Sequence, residues 1–367
     1  MRGDGHRAPA GPAVVTPVIL LLLAAGIRGE PSVPADFAAV LEKLRVANHI
    51  PGLSAVVVRD GRVVFQRGFG YANVERRVRA TPDTPYNIAS VTKPLSAVVA
   101  LKLVEEGKLD LDGKLETNRD FAEFCEEFGR QDSIFSRDLR CGELTLRHVL
   151  SHTVSGPPGQ RFSYNPVIYS MASRPIAAAG GKAFSTLVDE LVFRPAGMKR
   201  SARKHRDLPL RADLSRDLAP PYHVDERGRL VPSPAPGPQG DGAAGGVVST
   251  ALDLAKFDVA LDAGKLVSER SKEAMMTPAR TASGAALPYG LGFFVQEYGS
   301  RKLVWHSGWW EKAYSAIYLK VPKEKLTLIL LANSEGLWWN NPLDAAQIEK
   351  SPFAAAFLDR FLGSRGR

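Results

Sequence analysis

Predicted strands lie at both ends of the chain, and a long helical middle separates them. Near the start, LSAVVVRDGRVVFQRGFG has two β-branched runs around Asp60 and Gly61, a residue pair that favours a tight hairpin turn. Near the end, LVWHSG, AYSAIYLKV and KLTLILLAN predict three further strands. One sheet can include both sets only if the chain returns to it after the helices. The sequence therefore predicts a mixed α/β fold of the α+β type, with a helical insertion in the sheet.

Residues 1–30 predict an export signal. Arg2 and Arg7 precede an uncharged stretch at residues 8–27, with VILLLLAAG at its centre. A basic start followed by a short apolar run is typical of a secretory signal peptide. We therefore expect cleavage and export to the periplasm or beyond the cell. An uncleaved segment would instead anchor the protein to the membrane.

The rest of the chain, residues 31–367, is expected to form one domain. Hydrophobic residues make up 44% of the chain and charged residues 24%, the balance of a folded soluble protein. We expect a sheet part at residues 31–89 and 245–367 and a helical part at residues 90–244. The net charge of +9 is not arranged as a stripe of basic and aromatic residues, so nucleic acid is not an expected partner. The sequence leaves the oligomeric state open.

The chain has two cysteines, Cys125 and Cys141. An oxidising compartment would allow a disulfide between them, which in the chain-entropy picture is worth about 3 kcal/mol for a loop of this length. Two free, buried thiols are the alternative. The spacing of cysteines and histidines does not fit a structural zinc site, so no metal is expected.

Ser90 precedes Lys93 by three residues, where an apolar helix is predicted from Ser90 to Gly107. On a helix, residues with this spacing share one face. A serine hydroxyl is a weak nucleophile until a base takes its proton, and a lysine can be that base if its pKa is lowered. Ser201 and Lys204 have the same spacing but lie in a basic loop. The context therefore predicts a nucleophile and its base at the first pair.

Six segments of the chain follow one another in the order of a known family. They are PGLSAVVVRDGRVVFQRGFGYAN, TPDTPYNIASVTKPLSAVVALKLVEEGKLDLD, LTLRHVLSHTVSG, GGVVSTALDLAKF, YGLGF and VWHSG, within roughly residues 36–335. Together they resemble the serine β-lactamase and penicillin-binding-protein-like family, in the branch of class C β-lactamases, D-stereospecific peptidases and related esterases. The resemblance implies a β-lactamase/transpeptidase-like fold, an antiparallel sheet flanked by helices with a helical subdomain. It implies no organic cofactor.

The resemblance also assigns catalytic roles by position. Ser90 matches the acylated nucleophile and Lys93 the general base of the first motif. Tyr164, in RFSYNP, matches the tyrosine of the second motif and would relay a proton to the leaving group. Asn165 is the nearest match to the substrate-binding asparagine of that motif.

The third motif is matched by three consecutive residues of a predicted strand, His306, Ser307 and Gly308. In this family the strand forms the edge of the site. The oxyanion hole uses the backbone N–H of the nucleophile and that of the residue after the glycine, which here are Ser90 and Trp309. Trp309 and its neighbour Trp310 could line an acyl pocket or could pack behind the strand.

The second motif departs from the family pattern. It is usually Tyr-x-Asn, whereas Tyr164 and Asn165 are adjacent, and the segment before them is short. We therefore expect a rebuilt wall of the site, replaced in part by about residues 115–142. Either the pocket is wider than in the family, or the tyrosine is misplaced and activity is weak.

The implied chemistry is two-step acyl transfer on a small ester, amide or peptide substrate. His306 stands where penicillin-recognising enzymes usually carry lysine, and a neutral imidazole attracts a carboxylate more weakly than an ammonium does. This difference favours esterase or D-aminopeptidase-like hydrolysis. One alternative is a D,D-peptidase or β-lactamase that acts on penicillin-like substrates. Another is a non-catalytic cell-wall or ligand-binding relative, which the shortened second motif favours.

Overall fold

The structure, a computed structural model, describes residues 34–234, 237, 240–342 and 344–363, together with residues 1, 3 and 5. Apart from those three positions, the predicted export signal lies outside the described residues. The described residues from 34 to 363 belong to one compact unit. None of the helices in the described ranges is both long and apolar enough to span a membrane.

The described chain alternates short helices with strands, and its longest strands are near its two ends. The strands are β1 (Gly52–Arg59), β2 (Arg62–Asn73), β3 (Val78–Arg79), β4 (Tyr86–Asn87), β5 (Ala202–Arg203), β6 (Tyr222–Val224), β7 (Leu230–Pro232), β8 (Val247–Ser249), β9 (Phe294–Tyr298), β10 (Arg301–Trp310), β11 (Tyr314–Val321) and β12 (Leu326–Ala332). The helices are α1 (Phe37–Ala47), α2 (Thr92–Glu105), α3 (Arg119–Gly129), α4 (Leu146–Leu150), α5 (Pro166–Met171), α6 (Ser173–Gly180), α7 (Phe184–Val188), α8 (Arg194–Ala196), α9 (Ala212–Asp217), α10 (Ala251–Asp262), α11 (Glu269–Met275) and α12 (Pro352–Leu362).

Seven strands form one antiparallel sheet in the order β3-β2-β1-β12-β11-β10-β9. Strand β1, near the start of the chain, pairs with β12, near its end, and this register sets Ala55 opposite Leu330. All other pairs in this sheet join strands that are neighbours in the sequence. The prediction that both ends of the chain build one sheet is therefore confirmed.

The hairpin between β1 and β2 turns at the predicted residues. Asp60 and Gly61 have φ values of 50° and 73°, and the strands pair again at once, with Arg59 opposite Arg62. A two-residue turn with positive φ at both positions matches the right-handed twist of the flanking strands. Aspartate and glycine tolerate these φ values better than other residues, which is why the sequence predicted the turn.

Both faces of the central strands are covered, which explains their continuous apolar sequences. In β1, Val56 and Val58 join the core cluster that contains α2, whereas Ala55 and Val57 join the cluster that contains α1 and α12. Because side chains alternate between the faces of a strand, a strand covered on both faces has no exposed positions for polar residues. The sheet is thus the middle layer between two groups of helices.

Helix α2 is buried on all sides, and it begins later than predicted. Ser90 lies in a 3₁₀ turn, Ala89–Val91, and the α-helix starts at Thr92. Of its residues, 11 are buried, Lys93 among them. A helix that is apolar all round is expected in a protein interior. The nucleophile candidate therefore sits at the entrance to the core rather than within the helix.

The helical middle is held by a disulfide between Cys125, in α3, and Cys141. Of the two alternatives that the sequence left open, the structure thus contains the disulfide. Between α9 and β8, the strands β6 and β7 form a short antiparallel hairpin. Its turn is closed by Asp225, which accepts hydrogen bonds from the backbone N–H groups of Arg227 and Arg229.

Candidate active site

Ser90 is presented by a tight turn with a strained residue. Ala89, directly before it, has a φ of 46°, which is unusual for a residue other than glycine. Its N–H donates to Asn87 Oδ1 at 2.9 Å, and the N–H of Ile88 donates to the carbonyl of Val247 at 3.0 Å. These bonds stabilise the turn and leave the partly exposed Ser90 at the start of α2. Backbone strain of this kind occurs where the surroundings fix one conformation, often at functional sites.

Lys93 places its amine against the Ser90 hydroxyl. The distance from Nζ to Ser90 Oγ is 2.9 Å, and Nζ also donates to the carbonyl of Ala244 at 3.2 Å. The side chain is fully buried, and this burial lowers the pKa of Lys93 well below its ordinary value. The neutral amine has a lone pair that can accept the Ser90 proton. The structure thus places the two residues of the first motif within hydrogen-bond distance of each other.

Tyr164 completes this cluster. The Lys93 Nζ lies 4.9 Å from the centroid of the Tyr164 ring, and the ring packs against His152 at 4.2 Å between centroids. Burial raises the pKa of the Tyr164 phenol, although a hydrogen bond with the Ser90 hydroxyl opposes this effect. The phenol is therefore kept protonated beside the candidate nucleophile. The shortened segment before Tyr164 has not moved this side chain away from Ser90.

Asn165 has a different environment from its neighbour. It is buried and forms the N-cap of α5, where its side chain accepts from the N–H of Ile168 at 3.0 Å. Its Nδ2 donates to the carbonyl of Phe135 at 2.7 Å. The residue that follows Tyr164 directly is thus used to start a helix, and the structure does not bring Asn165 into the wall of the cavity described below.

His306 is turned into the protein interior. Its Nδ1 lies 2.7 Å from the carbonyl oxygen of Ser307, so Nδ1 carries the proton and donates it. The other nitrogen, Nε2, then accepts from the Tyr289 hydroxyl at 2.9 Å. Burial lowers the pKa of His306 well below its ordinary value. The third motif therefore has a neutral imidazole with both nitrogens engaged.

Gly308 allows strand β10 to approach the turn that carries Ser90. A Cβ atom at this position would lie 2.3 Å from the carbonyl oxygen of Ile88. A side chain here would force the strand and the turn apart, because real atoms do not approach so closely. The approach brings Trp309, the next residue, into the wall of the same cavity as Ser90. The buried Ser307 precedes it on the strand.

Ser90 and Lys93 line a cavity of about 780 Å³, called here the Ser90 cavity. Its wall on the side of the helical middle includes Phe124, Val167, Met171 and Arg174, and its wall on the side of β10 includes Trp309, Trp310 and Glu311. Trp309 is 40% exposed. Of the two alternatives for the tryptophans, the structure favours a wall of the cavity over packing behind the strand. A volume of this size suits a small-molecule substrate.

Helix α3 supplies the replacement wall that the sequence predicted within residues 115–142. Phe124 faces the Ser90 cavity, and the next residue, Cys125, fixes the helix through the disulfide. Phe124 and Arg174 could not be identified from the sequence, since neither belongs to a motif. Tyr289 was also missed, although it begins the matched segment YGLGF. That segment was the signal that could have identified it.

The Beta-lactamase family model matches residues 37–351. The chain belongs to the Beta-lactamase family. It is 25% identical to penicillin-binding protein 4* of Bacillus subtilis over 329 residues, which cover 77% of this chain and 68% of that protein. The chain spans between 60% and 68% of the length of the first curated relatives that it matches.

Solved structures agree with this family. The octameric penicillin-binding protein homologue from Pyrococcus abyssi has a TM-score of 0.71 and 26% identity, over 88% of this chain and 76% of that one. The D-amino acid amidase from Ochrobactrum anthropi SV3 has a TM-score of 0.67 and 21% identity, over 89% of this chain and 98% of that one. The β-lactamase/transpeptidase-like fold is therefore confirmed.

Proposed function

We propose that the protein is a serine hydrolase that forms an acyl-enzyme at Ser90 and hydrolyses small esters or amides. One observation carries this proposal, the 2.9 Å distance between Ser90 Oγ and the Nζ of the fully buried Lys93. Burial lowers the pKa of this lysine, which favours the neutral amine that can act as a base. Membership of a family of serine hydrolases supports the same chemistry.

The reaction follows from the positions of the polar groups. Ser90 Oγ attacks the substrate carbonyl carbon while its proton passes to Lys93 Nζ, and the backbone N–H groups of Ser90 and Trp309 stabilise the oxyanion. The ester or amide bond then breaks. The leaving group takes a proton from Tyr164, which recovers one from Lys93. Water attacks the acyl carbon in the second step, gives up its proton along the same path, and releases the acid and free Ser90.

The proposal favours an esterase or D-aminopeptidase-like activity because of His306. This imidazole is neutral, buried and bonded to Ser307 and Tyr289, so the third motif itself offers no cation for the carboxylate of a penicillin. The D-amino acid amidase shares the fold, which is compatible with amide substrates. The second candidate, a D,D-peptidase or β-lactamase, is supported by the name of the B. subtilis relative.

The third candidate is a relative that binds ligands without turnover. The use of Asn165 as a helix cap favours it, because the second motif then lacks its usual asparagine. The contact between Ser90 and Lys93 opposes it, since a binding protein has no need of a buried amine beside a serine.

Steady-state hydrolysis by the wild type and two serine variants tests the proposal. The substrates are p-nitrophenyl acetate, D-alanine p-nitroanilide and a chromogenic cephalosporin. Ser90→Ala should lower turnover of the ester and the anilide by more than about 10³-fold. Ser201→Ala is the matched control, because Ser201 and Lys204 have the same spacing but the Ser201 hydroxyl donates to Asp253 at 2.9 Å. Full turnover in Ser90→Ala would refute the proposal, and a dominant cephalosporin rate would select the second candidate.

Export of the mature domain is part of the proposal, at the periplasm or beyond. The disulfide between Cys125 and Cys141 supports it, because such bonds persist mainly in oxidising compartments. The mass of the protein recovered from the periplasm or medium would test this. A mass that still includes residues 1–30 would show that the signal is not cleaved.

A further inference from the structure

One wall of the Ser90 cavity carries a positively charged side chain that has no ion-pair partner among the described residues. Arg174 lies in the first turn of α6 and lines the cavity. Its Nη1 donates to the carbonyl of Asp120, and its Cζ lies 5.1 Å from the centroid of the Phe124 ring. These contacts orient the guanidinium, and no acceptor in the described part of the chain bonds to its other N–H donors. No carboxylate of the described residues forms an ion pair with it.

The other charged groups around the cavity do not compensate Arg174. Asp241 accepts from the buried Arg203 at 3.1 Å and from the N–H of Ser185 at 2.7 Å. Glu311 follows the last residue of β10, and no ion pair joins it to Arg174 among the described residues. Lys93 has a pKa lowered by burial and faces Ser90. Arg174 is therefore the cation of the described cavity wall that a ligand can reach.

We propose that Arg174 binds a carboxylate on the substrate, and that the cavity is selective for esters or amides with an apolar body and a negatively charged end. This inference rests on the proposed function and names its substrate class. A guanidinium holds a carboxylate through two parallel N–H donors, so it fixes orientation as well as charge. Phe124, Met171 and Trp309 provide apolar surface for the rest of the molecule. The cation that binds the substrate carboxylate thus lies on the wall formed by the helical middle and not in the third motif.

Two pairs of esters of matched size test the proposal. In the first pair the carboxylate is on the acyl side, with p-nitrophenyl glutarate compared with p-nitrophenyl valerate. In the second it is on the leaving group, with the acetate ester of 4-hydroxybenzoate compared with that of 4-methylphenol. Each pair differs in charge and little in length, so the ratio of kcat/KM within a pair measures recognition of the carboxylate.

Arg174→Gln should lower kcat/KM by about tenfold for the charged ester of at least one pair, mainly by raising KM, and by less than twofold for the neutral esters. Arg174→Lys should recover part of the loss. Arg119→Gln is the matched control, because Arg119 is an exposed arginine of α3 outside the cavity wall. Free glutarate should inhibit valerate hydrolysis competitively in the wild type and more weakly in Arg174→Gln.

The outcomes separate this inference from the proposed function. If the wild type hydrolyses the neutral esters through Ser90 but Arg174→Gln changes both members of each pair equally, the carboxylate proposal is wrong and the hydrolase proposal stands. If the wild type hydrolyses none of the four esters, both fail. If the ratio of kcat/KM for the charged ester to kcat/KM for the neutral ester falls in Arg174→Gln and not in Arg119→Gln, the carboxylate proposal and the hydrolase proposal are both supported.

Discussion

At the scale of single residues, the buried Lys93 places an amine where a hydrocarbon side chain would make the protein more stable. Its pKa is lowered because burial penalises the charged form. We predict that Lys93→Met abolishes acylation of Ser90, since no base remains, and raises the free energy of unfolding by about 1 kcal/mol. Urea denaturation and a fluorophosphonate reaction on the same sample would measure both. Lys102 lies on the same helix, but its side chain is 36% exposed. Lys102→Met should therefore change neither the acylation of Ser90 nor the free energy of unfolding by much.

Gly308 is a second residue with a defined steric role. A methyl group there would lie 2.3 Å from the carbonyl oxygen of Ile88, so Gly308→Ala should cost about 1–3 kcal/mol of stability and most of the activity. Gly129→Ala, at the end of α3, has open space around it and should be neutral or slightly stabilising. Thermal melts and ester hydrolysis would compare them. Equal melting temperatures for the two variants would contradict the close approach of strand and turn.

The sequence could predict the catalytic residues that belong to contiguous motifs and could not predict those that depend on the fold. Ser90 and Lys93 are three residues apart, so local geometry alone brings them together. The direction of the His306 ring depends on Tyr289, which is 17 positions away and meets it only in the folded chain. Arg174 reaches the cavity because α6 packs beside α3, and no spacing in the sequence encodes that contact.

At the scale of elements, α10 is joined to the sheet by a buried ion pair. Lys320, on β11, donates to Asp258 at 2.9 Å and to Asp262 at 2.6 Å, and Thr327 of β12 also donates to Asp258, at 3.0 Å. Lys320→Met would leave Asp258 buried without its cation and should cost about 3–5 kcal/mol. Adding Asp258→Asn should recover much of this loss. Urea unfolding of the single and double variants would measure the coupling, and additive effects would contradict it.

The disulfide acts at the same scale, through α3. We predict that the double variant Cys125→Ser, Cys141→Ser loses about 3 kcal/mol of stability, because the loop of residues 125–141 is no longer closed in the unfolded chain. It should also raise KM, because Phe124 lies next to Cys125 and lines the Ser90 cavity. Thermal melts with and without reductant provide the test. A reductant effect of similar size in the double variant would show that the bond is not responsible.

At the scale of the whole molecule, stability should depend on pH through buried basic side chains, and two of these are histidines. Burial lowers the pKa of His152 and of His306 well below the ordinary value. As the pH falls below about 6.5, the unfolded chain binds protons at these positions and the folded chain does not, so the free energy of unfolding falls by up to about 1.4 kcal/mol per pH unit for each histidine. Urea midpoints at pH 7.5 and pH 5 would show this loss. His306→Gln should reduce the pH dependence, and an unchanged dependence would contradict this account.

The overall architecture could be predicted because its two halves have different sequence patterns. Strands with continuous apolar runs occur at both ends of the chain, and only a sheet covered on both faces accommodates them. The packing of the helical middle could not be predicted in detail. Its helices are short, and their positions depend on contacts between distant residues, such as the hydrogen bond from Asn165 to the carbonyl of Phe135 or the bond between Cys125 and Cys141.

The central claim is that Ser90 is a nucleophile activated by Lys93, and intact-mass spectrometry tests it most directly. The wild type would be mixed with a fluorophosphonate and, separately, with a penicillin, and Ser90→Ala would be treated in the same way. We predict one fluorophosphonate adduct that maps to Ser90 in the wild type and none in the variant. A penicillin adduct would support the second candidate function, that of a D,D-peptidase or β-lactamase. A folded wild type that forms no adduct with either reagent, or a variant that is still labelled, would contradict the account.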